Sequence, residues 1–226
     1  MSEMQKVIEW QLAAGRTITP LTFDELKGVP LSLVLEEISE ILEAVATKNI
    51  EGIIDGIADT FVVCNALLMQ CSDDLSIRND KLIVNPTPVN ASHVDALQSV
   101  KNALLEVEDE YTLVKLVSLT INIAADFCLH LGADPVQALA EVNKANFSKF
   151  AGNVSEAIYS VDSYVSSPRY SNVHYVKRNG LYVIYGFING LESKTPKILK
   201  SIGFTEPDHR TNVHKVKRFS KNLESL

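Results

Sequence analysis

Apolar residues recur every three or four positions through the first two thirds of the chain, and near residue 173 the pattern changes to strict alternation. The first rhythm belongs to helices that bury one face, the second to a strand. Met4, Val7, Ile8 and Leu12 mark a helix over 3–15, closed by Gly15. A connecting segment with Pro20, Gly28 and Pro30 follows, carrying a short helix at 23–26. Leu31, Val34, Leu35, Ile38, Ile41, Leu42 and Val45 define a long helix over 31–47; after a break at Lys48-Asn49, a second runs over 50–70. Residues 72–92 are polar, with Pro86 and Pro88, and read as a loop with a short strand at 82–84. Helices follow at 92–108 and 110–131. Asp134-Pro135 then supplies an N-cap and a first helical position for a helix over 135–150. Val173 and Tyr175, then Leu181, Val183 and Tyr185, alternate about Asn179-Gly180, the signature of a tight hairpin. The expected fold is mainly α: a four-helix-bundle-type core with a small C-terminal β-hairpin appendage. A helical domain is expected over 1–152 and an extension over 153–226.

A short internal match bears on how such a core is built. Leu35-Glu36 to Glu40 matches Leu105-Glu106 to Glu110, and Gly56-Ile57-Ala58 matches Asn122-Ile123-Ala124. A duplication would assemble the bundle from two helical hairpins.

Composition narrows the function. The 226 residues are 46% hydrophobic and 22% charged, with net charge −7, ordinary for a globular chain and unlike a general nucleic-acid binder. No membrane span and no secretory leader are expected. The three cysteines, Cys64, Cys71 and Cys128, form no CxxC pair; buried thiols in a reducing cytoplasm are expected, and zinc is not. The stretch from Lys177 to Lys221 is rich in Lys, Arg and His and either folds over a polyphosphate or is a solvated tail.

The acids of the two long helices carry the candidate chemistry. Glu37 and Glu40 lie three apart and Asp55 and Asp59 four apart, so each pair shares a helix face. Glu36 and Glu43 are expected toward solvent. Asp59 precedes a run from Phe61 to Met69 that is apolar nearly all round, and a carboxylate opening a buried stretch is costly unless paired or metal-bound. Two antiparallel helices would bring all four acids together. Oxygen-only ligands suit a hard cation, Mg²⁺ or Mn²⁺, which binds phosphates. The competing reading is a solvated acidic face.

Leu35 to Ala44, followed by Ile54-Asp55-Gly56-Ile57-Ala58-Asp59, resembles the ExxE-spacer-ExxD signature of the all-α nucleoside triphosphate pyrophosphohydrolases of the MazG-like type, which include phosphoribosyl-ATP pyrophosphohydrolases. Glu141 to Phe150 is similar to an EVNxxNxxKF-like helix of that family, and Lys197 to Ser201 with Pro207-Asp208 resembles a tail seen in its phage and bacterial members. Gly56 departs from the pattern; Asp55 is the substitute and Glu51 a weaker one. The segment 72–110 reads as an insertion. The resemblance implies Mg²⁺ (or Mn²⁺) held by Glu37, Glu40, Asp55 and Asp59, with Glu40 and Glu37 catalytic and Glu40 acting on the attacking water. Asn146 and Lys149, three apart on one helix face, either contact the nucleotide or close a helix end, and Lys177 and Lys200 either close over phosphates or are ordinary surface lysines. The resemblance also implies a homodimer or homotetramer in the cytoplasm, the host's if phage-encoded. The substrate would be a nucleoside triphosphate cut to monophosphate and pyrophosphate, with no nucleic-acid or membrane partner. Alternatives are an inactive helical interaction protein, or hydrolysis of phosphoribosyl-ATP or an alarmone. Trp10 is either a base-stacking or a core residue. His93, His130, His174, His209 and His214 show no ligand spacing.

Overall fold

The computed structural model describes residues 1–16, 19–71, 81–190 and 196–218, with side chains to residue 216. Residues 72–80 of the loop expected over 72–92, and the end of the basic tail, lie outside these residues. The helices are α1 (Glu3–Ala13), α2 (Phe23–Leu26), α3 (Val29–Ala46), α4 (Ile50–Leu68), α5 (His93–Leu105), α6 (Glu110–His130), α7 (Pro135–Ser148), α8 (Val154–Val165) and α9 (Arg210–Arg218), with a further helical stretch at 81–84. Three strands, β1 (Tyr170–Arg178), β2 (Leu181–Ile188) and β3 (Lys197–Leu199), form one antiparallel sheet in the order β1-β2-β3. The fold is mainly α with a small C-terminal sheet, as the hydrophobic rhythm predicts. Residues 81–84 are helical rather than the expected strand, and β3 extends the expected hairpin.

The chain divides into two compact units. One comprises residues 1–8, 18–142 and 208–226; the other comprises 9–17 and 143–207. Chain order suggests a boundary at residue 152, but each unit draws on segments far apart in sequence.

In the first unit α3 packs on α4, α4 on α6, α6 on α5 and α5 on α3, a closed ring of four helices. The segment read as an insertion, 72–110, therefore supplies α5, one wall of the ring. The internal match does not follow the elements: Leu35 to Glu40 lie inside α3, whereas Leu105 ends α5 and Glu110 begins α6. The turn between α3 and α4 is made by Lys48 at φ 55 and by Asn49, whose side chain accepts from the Gly52 amide at 3.1 Å. Val34, Ile38 and Ile41 of α3 and Ile53, Ile54, Ile57 and Phe61 of α4 are fully or almost fully buried. Each such side chain contributes about 1.5–3 kcal/mol of burial. Gly56 faces α3 closely: a Cβ there would stand 2.9 Å from Ile41 Cγ1. A larger residue at 56 would press on Ile41, and glycine leaves this position without an acid.

α6 is long and apolar enough to cross a membrane by length and composition alone, but Leu113, Val117, Ile121, Ala124, Phe127 and Cys128 place one side of it in the bundle core. Its Asn122 pins the chain ahead of α5, accepting from the Thr87 amide at 2.7 Å and donating to the Thr87 carbonyl at 2.9 Å. Asp134 caps α7 as expected, accepting from the amides of Val136 and Gln137. All three cysteines are buried and unpaired.

In the second unit the sheet and α8 pack together. Asn179 (φ 48) and Gly180 (φ 83) form the hairpin turn, both in the left-handed region that such turns require. Trp10 stacks on Phe150 with ring centroids 5.9 Å apart, and its indole N–H donates to the Asn146 carbonyl at 2.8 Å. At 6% exposed it is a core tryptophan.

Candidate functional site

The acids on α3 and α4 are brought within electrostatic reach of one another. Glu37 is half-buried, and its Oε2 is enclosed with no hydrogen-bond partner. Burial is the main cause that pushes the Glu37 carboxyl up to about 8, and repulsion from Asp59, Glu40, Glu36 and Asp55 adds to it. The Glu40 carboxyl is exposed; partial loss of hydration and the charges of Glu36, Asp55 and Glu43 also raise its pKa. Glu37 thus feels the charges of Asp59, Glu40 and Asp55, and Glu40 that of Asp55. Glu36, exposed as expected, still adds to the field there.

Their arrangement is graded rather than closed. Among the described residues, no three His, Cys, Asp or Glu side chains form a ready metal-binding group. Asp55 is 44% exposed and accepts a hydrogen bond from His209 Nε2 at 3.0 Å. His209 is itself buried, with Nδ1 unpartnered, at the start of the chain that leads into α9. Sequence spacing gave no reason to single out His209, because its partner lies 154 residues away. A histidine that donates to a carboxylate holds that carboxylate in one orientation. The enclosed Glu37 oxygen and the all-oxygen donor set fit a hard divalent cation.

The three residues expected to touch substrate lie in the second unit. Asn146 is buried on α7, and its Oδ1 accepts from Lys149 Nζ at 2.6 Å. Lys149 Nζ also lies 5.8 Å from the centroid of the Trp10 ring. Lys200 pairs with Glu206 at 2.8 Å and covers the Phe204 ring at 3.9 Å, both on the surface. Lys177, exposed, lies over Tyr182.

Two cavities stand out. One, about 750 Å³, is lined mainly by apolar groups such as Val89, Val100, Leu116, Leu119 and Ile123 of the first unit and holds none of the expected site residues. The other, about 520 Å³, lies in the second unit and includes Lys149.

No protein-family model and no solved structure matches the chain. The chain is similar to an uncharacterised protein, L479, of Acanthamoeba polyphaga mimivirus, with 25% identity over 206 residues covering 79% of each chain. The similarity carries no activity with it.

Proposed function

We propose that the chain is a divalent-cation-dependent nucleotide pyrophosphohydrolase, cutting a nucleoside triphosphate between its α and β phosphates. The observation that carries this reading is the Glu37 carboxyl: half-buried, with one oxygen unpartnered, beside Asp59, Glu40 and Asp55. A carboxylate in that setting is stabilised by a cation, and the motif resemblance of α3 and α4 names the chemistry. Glu37, Glu40, Asp55 and Asp59 would hold Mg²⁺ or Mn²⁺. When bound, the ion supplies neutralisation of the polyphosphate charge and a more acidic water.

The chain's own residues do the rest. Glu40 is exposed, so water reaches it, and lost hydration and the charges of Glu36, Asp55 and Glu43 raise its pKa, as a proton acceptor requires. It takes the proton from the water that attacks the α-phosphorus. The α–β anhydride bond breaks and pyrophosphate leaves. His209 holds Asp55 in place.

The test is a nucleotide panel with Mg²⁺, with Mn²⁺ and with chelator, in ¹⁸O-labelled water. The expected products are pyrophosphate and a labelled nucleoside monophosphate, from at least one nucleotide and only with metal. Label in pyrophosphate, or full activity in Glu37→Gln, would remove the proposal. A second reading, an inactive helical interaction protein, is favoured by Gly56, which puts no acid at the position the signature reserves for one. Absence of turnover on the whole panel together with absence of Mn²⁺ binding selects it.

A further inference from the structure

The second unit carries a cluster of opposite sign. α1 ends in a turn in which the Gly15 amide donates to the Leu12 carbonyl and the Arg16 amide to the Gln11 carbonyl, a Schellman arrangement with Gly15 at φ 73. That turn delivers Arg16 to within 5.4 Å of the Trp10 ring centroid, the same ring that Lys149 approaches. Arg178, at the end of β1, meets the turn from the sheet side. A Cβ at position 15 would stand 2.6 Å from Arg178 Cζ, so the guanidinium rests against the bare glycine. The turn is fixed to β2 by Tyr185, whose hydroxyl donates to the Ala14 carbonyl at 2.7 Å.

These residues, with His174 and Lys197, line the cavity of about 520 Å³, whose remaining walls are aromatic or apolar. No acid lines it. Among the described residues, no carboxylate pairs with Arg16, His174, Arg178 or Lys197. Arg16 reaches solvent, yet protein crowds its guanidinium enough that lost hydration lowers its pKa. Cations held together over apolar walls repel, and an anion placed among them relieves that repulsion. The forked donors of two arginines match phosphate oxygens. A cavity of this size is in the range that admits a small ligand.

We infer that this cavity is a binding site for a polyphosphate group, either free or carried by a nucleotide, that works without a divalent metal. The inference does not rest on the pyrophosphohydrolase reading: it stands on Arg16, Arg178 and Lys197, which that reading does not use.

Trp10 is the chain's one tryptophan and lines the cavity, so its fluorescence reports occupancy. The full chain is titrated in EDTA with tripolyphosphate, a nucleoside triphosphate, orthophosphate and sulfate, with calorimetry as a second readout. Tripolyphosphate is expected to bind saturably, at least tenfold more tightly than orthophosphate or sulfate. Equal binding of the nucleotide assigns the site to the phosphate chain, whereas tighter binding assigns it to the whole nucleotide. Arg16→Gln with Arg178→Gln is expected to weaken binding at least tenfold, and exposed Lys197→Gln severalfold. Lys101→Gln, on α5, is expected to leave it unchanged. Gly15→Ala keeps every charge and displaces Arg178, so it is expected to weaken binding severalfold as well. Should the double variant not fold, Lys197→Gln and Gly15→Ala decide. No saturable tripolyphosphate binding, equal affinity for sulfate, or equal loss in Lys101→Gln overturns the inference. Because every arm is run without metal, its failure leaves the hydrolase proposal standing, and hydrolase failure leaves these titrations readable.

Discussion

The two units gather charge of opposite sign by different means. In the first, two helices of one hairpin present carboxylates across a close contact at Gly56 and Ile41. In the second, the end of one helix, the edge of a sheet and the end of another helix bring Arg16, Arg178 and Lys149 to one indole and one glycine. Like charges held together lower stability, and a ligand of the other sign would offset that cost in each case. The acid set is legible along two helices because helical spacing fixes it. The basic set is assembled from residues 16, 149, 174, 178 and 197, and no local pattern links them.

The comparison breaks most sharply on hydrolysis. Glu37→Gln or Asp59→Asn is expected to lower kcat on the order of a hundredfold or more, the scale seen when a transition-state charge stabiliser is lost. The same variants should keep metal-free tripolyphosphate binding. Retained turnover would detach catalysis from the acids.

His209→Gln is expected to weaken Mn²⁺ binding about tenfold, the lower end for loss of a group that orients a metal-binding carboxylate. Electron paramagnetic resonance titration of Mn²⁺ measures it. An unchanged affinity would mean that His209 only fills space beside Asp55.

pH sharpens the comparison further. Glu37 is raised from 4.5 to about 8 in the folded state. The folded metal-free chain therefore holds a proton that the unfolded chain gives up. The stability that this group contributes is fully present below about 4.5, falls as pH rises toward 8, and is flat above. Denaturant melts of wild type and Glu37→Gln across pH 4.5–8.5 should converge at low pH and favour the variant at high pH. On the proposed reading Mg²⁺ binds only the ionised form, so its stabilisation of the wild type should grow with pH over the same range.

Gly56→Ala is expected to destabilise by about 1 kcal/mol: crowding against Ile41 costs about 1–3 kcal/mol, and helix propensity returns about 1. The smallest effect is expected for Lys200→Gln, which breaks an exposed pair with Glu206. Stability should fall by about 0–1 kcal/mol and turnover should stay within about twofold.

The helices of the first unit were readable because their buried faces are wide and regular, and Asn179-Gly180 announced the hairpin. α8 was not readable. Its segment is rich in serine and hides much of its packing in hydroxyls: Ser160 Oγ donates to the Glu156 carbonyl and accepts from the Ile202 amide. β3 is too short to show alternation, and it is held where Leu199 lies over Gly186. Gly56 read as a departure from a motif, and only the helix contact explains it. His209 and the basic pocket depend on tertiary proximity. Sequence pointed to their neighbourhood through Pro207-Asp208 and Lys149 without reaching the residues themselves.

Each unit is closed by contacts between residues far apart in the chain: Trp10 with Asn146, Ala14 with Tyr185, and Asp55 with His209. During synthesis on the ribosome, neither core can be completed until the last quarter of these residues has emerged. The four-helix ring can gather early, but the turn at Gly15 must wait for β2. Such sequence-distant closure slows folding and leaves the N-terminal helix's apolar side open in the nascent chain. Chaperone dependence during translation, measured by ribosome-bound chain lengths at which protease resistance appears, should accordingly set in late.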